Sequence, residues 1–210
     1  MGNGMKINPQ NNKIKINNMM TTIEPFVFHH LSNGGILSNI KILIVGENAP
    51  NPNTYFYRAW NNTPNNFNIN SNRFLKNISI AIGININNNP RSGYPWKEAE
   101  LLDEIVLNRG FLVIDAYMNG IPKPTLVNRH SVASIDKDIK LISPRKIIFT
   151  NLQSNESTIL DLVKIDPSFY ASRIAPDYLK SRLCHVFPNY PKSVKHFQDS
   201  VQFLIKNNLV

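Results

Sequence analysis

Apolar residues in this chain follow two rhythms. The first is the short unbroken run, found at 41–46, 111–114, 146–150 and 183–187. Runs of this length that stop at Gly, Asp, Asn or Pro read as strands buried on both faces, the pattern of a parallel sheet. The second is helical spacing. Phe74, Ile78, Ala81 and Ile82 fall on one face of a helix spanning 72–84. Over 96–107, Leu101, Leu102, Ile105 and Val106 face inward, and Lys97, Glu98, Glu100, Asp103 and Glu104 face outward. Further helices are expected over 132–143, 154–163 and 191–206, the last with Val194, Phe197, Val201 and Leu204 inward. Strand and helix alternate, which predicts an α/β fold: three α/β/α layers around a mostly parallel, four-stranded central sheet.

Between the elements lie polar stretches. Residues 1–20 are Asn-rich and basic and read as a poorly ordered tail, leaving 21–210 as a single domain. Residues 47–72 form a long segment of little periodicity in which Tyr55, Phe56, Tyr57, Trp60 and Phe67 interleave with Asn and Pro. Such a loop in a compact domain is usually functional or disordered, and its aromatics argue against disorder. Residues 85–94 read as a second polar loop and 164–181 as irregular chain. Each apolar run ends near a polar residue: Glu47 and Asn48, Asp115, Asn151, and Asn189. Ligands of open α/β sheets bind just beyond the carboxyl ends of the strands, so these residues mark a candidate site.

Composition adds a partner. Lys and Arg number 23 against 14 Asp and Glu, a formal charge of +9. That balance points to a polyanion, nucleic acid first and an acidic membrane surface second. An AT-rich codon bias toward Lys, Asn and Ile accounts for it equally well. The single cysteine, Cys184, excludes an internal disulfide and a cysteine zinc site, and its apolar neighbours suit a buried thiol. Adjacent His29 and His30 point to different sides of either regular element and make a poor chelate. No apolar run is long enough to span a membrane and the first residues lack a signal-peptide core, so a cytoplasmic (nucleoid) or nuclear location is expected. No Walker A or Gly-x-Gly-x-x-Gly loop supports a nucleotide cofactor.

Four stretches together resemble the uracil-DNA glycosylase superfamily, over about residues 40–206. They are Gly46-Glu-Asn-Ala-Pro50 after the first strand, Tyr55-Phe-Tyr57 followed by Asn72-Arg-Phe74, Gly110-Phe-Leu-Val-Ile-Asp115, and Phe187-Pro-Asn-Tyr-Pro191 before the last helix. The mismatch-specific, single-strand-selective and hypoxanthine-type branches resemble it more than the classical uracil enzyme does. The resemblance implies a base-excision glycosylase without metal or cofactor, acting as a monomer on DNA carrying uracil or another deaminated or mismatched base. Two positions depart from the family pattern: Ala49 separates Asn48 from Pro50, and the histidine of the last motif is replaced by Phe187 or displaced to His185.

Roles carried over by the resemblance are as follows. Asn48 would position the water, with Glu47 as an alternative carboxylate. Tyr57, Tyr55 or Phe56 would stack on a flipped base, Asp115 would read its edge, and Phe187 would line the pocket. Pro188, Asn189 and Tyr190 would enter the duplex, while Lys192 and Lys195 would neutralise phosphates, helped by the helix N-terminus. Each residue also has a plainer reading. Asn48 and Asp115 could cap turns, Glu47 could pair with a basic side chain, the rings could pack on the core, and the lysines could be a solvated face. Two other functions stay open. One is a protein of the same fold that binds nucleic acid or nucleotide without the chemistry. The other is an unrelated α/β hydrolase or transferase using Glu47 and Asp115, although no Gly-x-Ser-x-Gly elbow is present.

Overall fold

The architecture was derived from a computed structural model, which describes residues 22–23, 25–33, 37–47, 56–61, 72–118, 126–150, 152–174 and 191–206. Three strands form a parallel sheet in the order β2-β1-β3: β1 is Ile42–Gly46, β2 is Phe111–Asp115 and β3 is Lys146–Phe149. Ile42, Leu43, Ile44 and Val45 have no exposed surface. Successive strand residues point to opposite faces, so both faces of β1 are covered. This is the condition under which a strand is written as an uninterrupted apolar run.

Seven α-helices accompany the sheet among the described residues. They are α1 (Pro25–Asn33), α2 (Arg73–Ala81), α3 (Glu98–Asp103), α4 (Val132–Ile142), α5 (Leu152–Ile165), α6 (Pro167–Arg173) and α7 (Pro191–Lys206). Sheet and helices share one hydrophobic core, to which α1 contributes Val27, Phe28 and Leu31, α4 contributes Ile135 and Ile139, and α7 contributes Val201. Local chemistry sets the helix starts. Asn72 accepts the N–H of Leu75 at 3.2 Å, Ser131 accepts that of Ser134 at 3.1 Å, and Asp166 accepts that of Phe169 at 3.0 Å, each satisfying one otherwise orphaned donor.

Several expectations change. The sheet has three strands among the described residues; the expected fourth, 183–187, lies outside them, as do the 1–20 tail and Cys184. The stretch read as irregular contains α6, which starts in the favoured way with Asp166 as cap and Pro167 in the first turn. Glu98 and Glu104, expected to face outward, are buried. Both are matched. Arg58 Nε donates to Glu98 at 2.9 and 3.1 Å and Asn72 Nδ2 at 2.8 Å, so the carboxylate ties the aromatic turn at 56–61 to the start of α2. The helical pattern over 96–107 ends in a π-turn, Glu104–Asn108.

Gly110 joins β1 to β2. Its φ is +73°, and a Cβ there would lie 2.6 Å from the Asn39 carbonyl oxygen. Its own carbonyl accepts the N–H groups of Lys41 at 2.8 Å and Ile42 at 3.1 Å. Glycine is the residue that tolerates both the left-handed backbone and the close approach.

Candidate active site at the carboxyl rim of the sheet

The strand order reverses at β1. The connection leaving β1 runs out to β2 at one edge, and the connection leaving β2 crosses back over β1 to reach β3. In open α/β sheets a crevice forms beyond the strand ends where the order reverses, which makes the carboxyl end of β1 the candidate site.

There the pairing of β1 with β2 carries on past the strands. Ala116 N–H donates to the Gly46 carbonyl at 3.0 Å and Tyr117 N–H to the Glu47 carbonyl at 2.9 Å. On the other side, Thr150 N–H donates to the Val45 carbonyl at 2.9 Å and its hydroxyl to the same oxygen at 3.3 Å. The rim backbone is thus held from both flanks. Gly46 pairs directly with Asp115, and a Cβ on Gly46 would lie 2.5 Å from Asp115 Oδ1. The missing side chain is what lets the Asp115 carboxylate lean over the end of β1. Glu47 follows at once, so two partly exposed carboxylates sit at the ends of adjacent strands.

The chain then returns along the rim. Met118 N–H donates to Asn128 O at 2.9 Å and His130 N–H to Ala116 O at 3.0 Å, which sets Arg129 opposite Tyr117 in an antiparallel bridge. Arg129 Nη1 donates to Ser157 Oγ at 2.7 Å, and its Nη2 lies 3.9 Å from Asp161 Oδ2, so α5 fixes the guanidinium. Burial raises the pKa of the Tyr117 phenol; the Arg129 charge opposes this and the Glu47 charge reinforces it. Burial lowers the pKa of His130, with Asp138 opposing, so the ring favours its neutral form. Tyr117, Arg129 and His130 were not identified from sequence. They belong to no apolar rhythm, and only the bridge beyond β2 brings them to the rim.

The residues expected at the site divide into three groups. Glu47 and Asp115 both lie at the rim, at the ends of adjacent strands. Phe56 and Tyr57 are buried in the core. Tyr57 stacks on Trp60 at 5.3 Å between centroids, and Phe56 meets it edge-on at 4.8 Å, while Trp60 Nε1 donates to Asp103 at 3.0 Å. Burial pushes the Tyr57 phenol well above its ordinary range, with the Val113 backbone opposing and the Asp115 charge adding to it. Lys195 is exposed on α7, which packs on α2, and Lys192 lies in the first turn of α7. Asn48, Tyr55, Phe187, Pro188, Asn189 and Tyr190 lie outside the described residues.

The rim therefore offers two carboxylates and a fixed guanidinium. That set can bind a polar ligand, orient a water, and stabilise positive charge developing beside a carboxylate. Among the described residues no group of three or more His, Cys, Asp or Glu side chains is placed to hold a metal ion, and no helix is long and apolar enough to cross a membrane. No protein-family model matches this chain, and no curated protein or solved structure matches it either.

Proposed function

We propose that this chain is a DNA base-excision glycosylase with a uracil-DNA glycosylase-like fold, hydrolysing the N-glycosidic bond of uracil or another deaminated or mismatched base. The support for this reading is the placement of Glu47 and Asp115 at the carboxyl ends of the adjacent strands β1 and β2, where the strand order reverses and Gly46 pairs with Asp115. In the reaction the bond from C1′ to the base nitrogen breaks, the electron pair leaves with the base, and positive charge builds on the sugar. Water then adds to C1′, and the proton it gives up ends on the departed base. Glu47 stabilises the charge on the sugar, Asn48 orients the water, and Asp115 meets the edge of the flipped base. Asn189, Tyr190, Lys192 and Lys195 contact the DNA, with a share of the net charge of +9 supplying phosphate neutralisation.

One observation favours a second reading, a fold-mate that binds nucleic acid without excising a base. Phe56 and Tyr57 are buried, and stacking on a base requires an open ring face. The stacking role then falls to Tyr55. The two readings separate in a single-turnover assay of the Asn48→Ala and Glu47→Gln variants on a uracil-containing oligonucleotide. The catalytic reading expects excision to fall by about 10²-fold or more with DNA affinity nearly unchanged. Binding of the oligonucleotide by the parent with no excision would contradict it and favour the second reading.

A further inference from the structure

A pocket lies toward the other end of the sheet from the rim. It has a volume of about 310 Å³, with Ile84 and Trp96 among its apolar walls and Asn85, Arg91, Glu104 and Arg109 among its polar ones. Arg109 stands just before the amino end of β2, so the five residues of that strand, at ~3.3 Å each, separate this pocket from Asp115.

The arginines are placed by design of the backbone around them. Glu104 opens the π-turn, whose wider winding brings Arg109 N–H onto the Glu104 carbonyl at 3.0 Å. In an α-helix, residues five apart do not face each other; here the Arg109 side chain folds onto Glu104 as well, Nε to Oε1 at 2.9 Å. Asn108 Nδ2 and Arg91 Nη2 each reach Glu104 Oε2 at 2.8 Å. Burial alone would raise the Glu104 pKa, but the bonds from Arg109 and Asn108 and the two arginine charges hold it low, so the carboxylate stays ionised. π-Turns of this kind are rare and frequently sit at functional sites.

Arg91 is held from the other side. Asn89 is buried although it lies in a polar loop; its Oδ1 accepts Arg91 N–H at 3.0 Å and its Nδ2 donates to Glu100 at 3.2 Å. Its backbone carbonyl accepts from Ser92 at 3.2 Å and Gly93 at 2.8 Å, and its N–H donates to Tyr94 O at 2.8 Å, closing a tight loop. Among the described residues, each guanidinium uses one N–H on Glu104. Two cations thus share one buried anion, leaving a net positive charge and several N–H donors at the pocket.

We infer that this pocket binds a phosphate monoester of a small molecule, the phosphate on Arg91 and Arg109 and the body against the wall formed by Ile84 and Trp96. Planar guanidinium forks suit phosphate oxygens, and paired arginines bind such a group in preference to a neutral ligand. A concave pocket of this volume matches a small ligand better than it matches a duplex. The site is independent of the rim chemistry proposed above.

The test is calorimetric titration of the full chain, in low-salt buffer, with inorganic phosphate, a nucleoside monophosphate, and a short oligonucleotide lacking terminal phosphates. The nucleoside monophosphate is expected to bind saturably at one site and more tightly than inorganic phosphate. Arg91→Ala should weaken it by about tenfold or more, and Arg91→Lys by less, because the charge stays and the fork is lost. Arg91 is mostly exposed, so unfolding does not confuse the result, and a thermal melt checks this. The proposal is overturned if neither small probe binds saturably, if Arg91→Ala binds like the parent, or if only the oligonucleotide binds in an Arg91-dependent way.

Discussion

The hydroxyl of Tyr57 serves both backbone groups of Val113: it donates to the carbonyl at 2.7 Å and accepts from the N–H at 2.8 Å. β2 is an edge of the described sheet, and an edge leaves such groups without a ladder partner. One phenol from the aromatic turn stands in for a neighbouring strand. Tyr57→Phe removes both bonds and buries two unsatisfied groups. The expected loss is about 2–3 kcal/mol of stability, read as a lowered denaturant midpoint. A loss below about 0.5 kcal/mol would show that water or a neighbouring group takes over the edge.

Gly46 and Gly110 separate activity from stability. A methyl group on Gly46 meets the far end of a side chain, Asp115 Oδ1, at 2.5 Å and lies at ordinary van der Waals distance, 3.5 Å, from the Ile114 carbonyl oxygen. Gly46→Ala should therefore cost about 1 kcal/mol or less while swinging the carboxylate off the rim, so it should impair rim chemistry about as much as Asp115→Ala does. Combining the two substitutions should add little, a non-additivity that a double-mutant cycle measures directly. Gly110→Ala meets backbone at Asn39 and also carries the strain of a φ of +73°. It should cost about 2 kcal/mol or more with no special effect on the rim.

His130 predicts an acid limb in the stability profile. Its pKa in the folded chain lies below the ordinary 6.5 because burial disfavours the charged ring. As pH falls through the window beneath 6.5, the unfolded chain takes up a proton that the folded chain resists, and stability drops. Above that window both forms are neutral and the contribution is fully present. His130→Gln should flatten this limb, so urea midpoints at about pH 5 and about pH 7.5 should differ less in the variant than in the parent. An equal difference would place the imidazole in a more solvated setting than the geometry gives.

The strands were legible because burial on both faces writes itself as an unbroken apolar run. β1, β2 and β3 fall where Lys41–Gly46, Phe111–Ile114 and Lys146–Thr150 predict them, within a residue at each end. The helices at 72–84 and 132–143 were legible for the matching reason of spacing, and Asn72 marks the start of α2 by capping it. Two kinds of feature were not legible. Buried carboxylates look like surface ones until their partners are known: Glu98 is matched by Arg58, 40 residues away, and Glu104 by Arg91, 13 residues away. Rim residues supplied by a returning loop, Tyr117, Arg129 and His130, obey no period at all. The rim carboxylates themselves were legible, because each ends an apolar run. Tyr57 offered two readings, and the fold buries its ring under Trp60 and Phe56.

The glycosylase reading stands or falls on one assay. Labelled oligonucleotides carrying uracil, hypoxanthine or a G·T mismatch are incubated with the full chain, and abasic sites are then cleaved with alkali. Strand cleavage is expected at one of these bases, strongly reduced by Asn48→Ala and by Asp115→Ala. Intact oligonucleotides on all three substrates, with salt-sensitive DNA binding preserved, would contradict it and leave a nucleic-acid-binding protein.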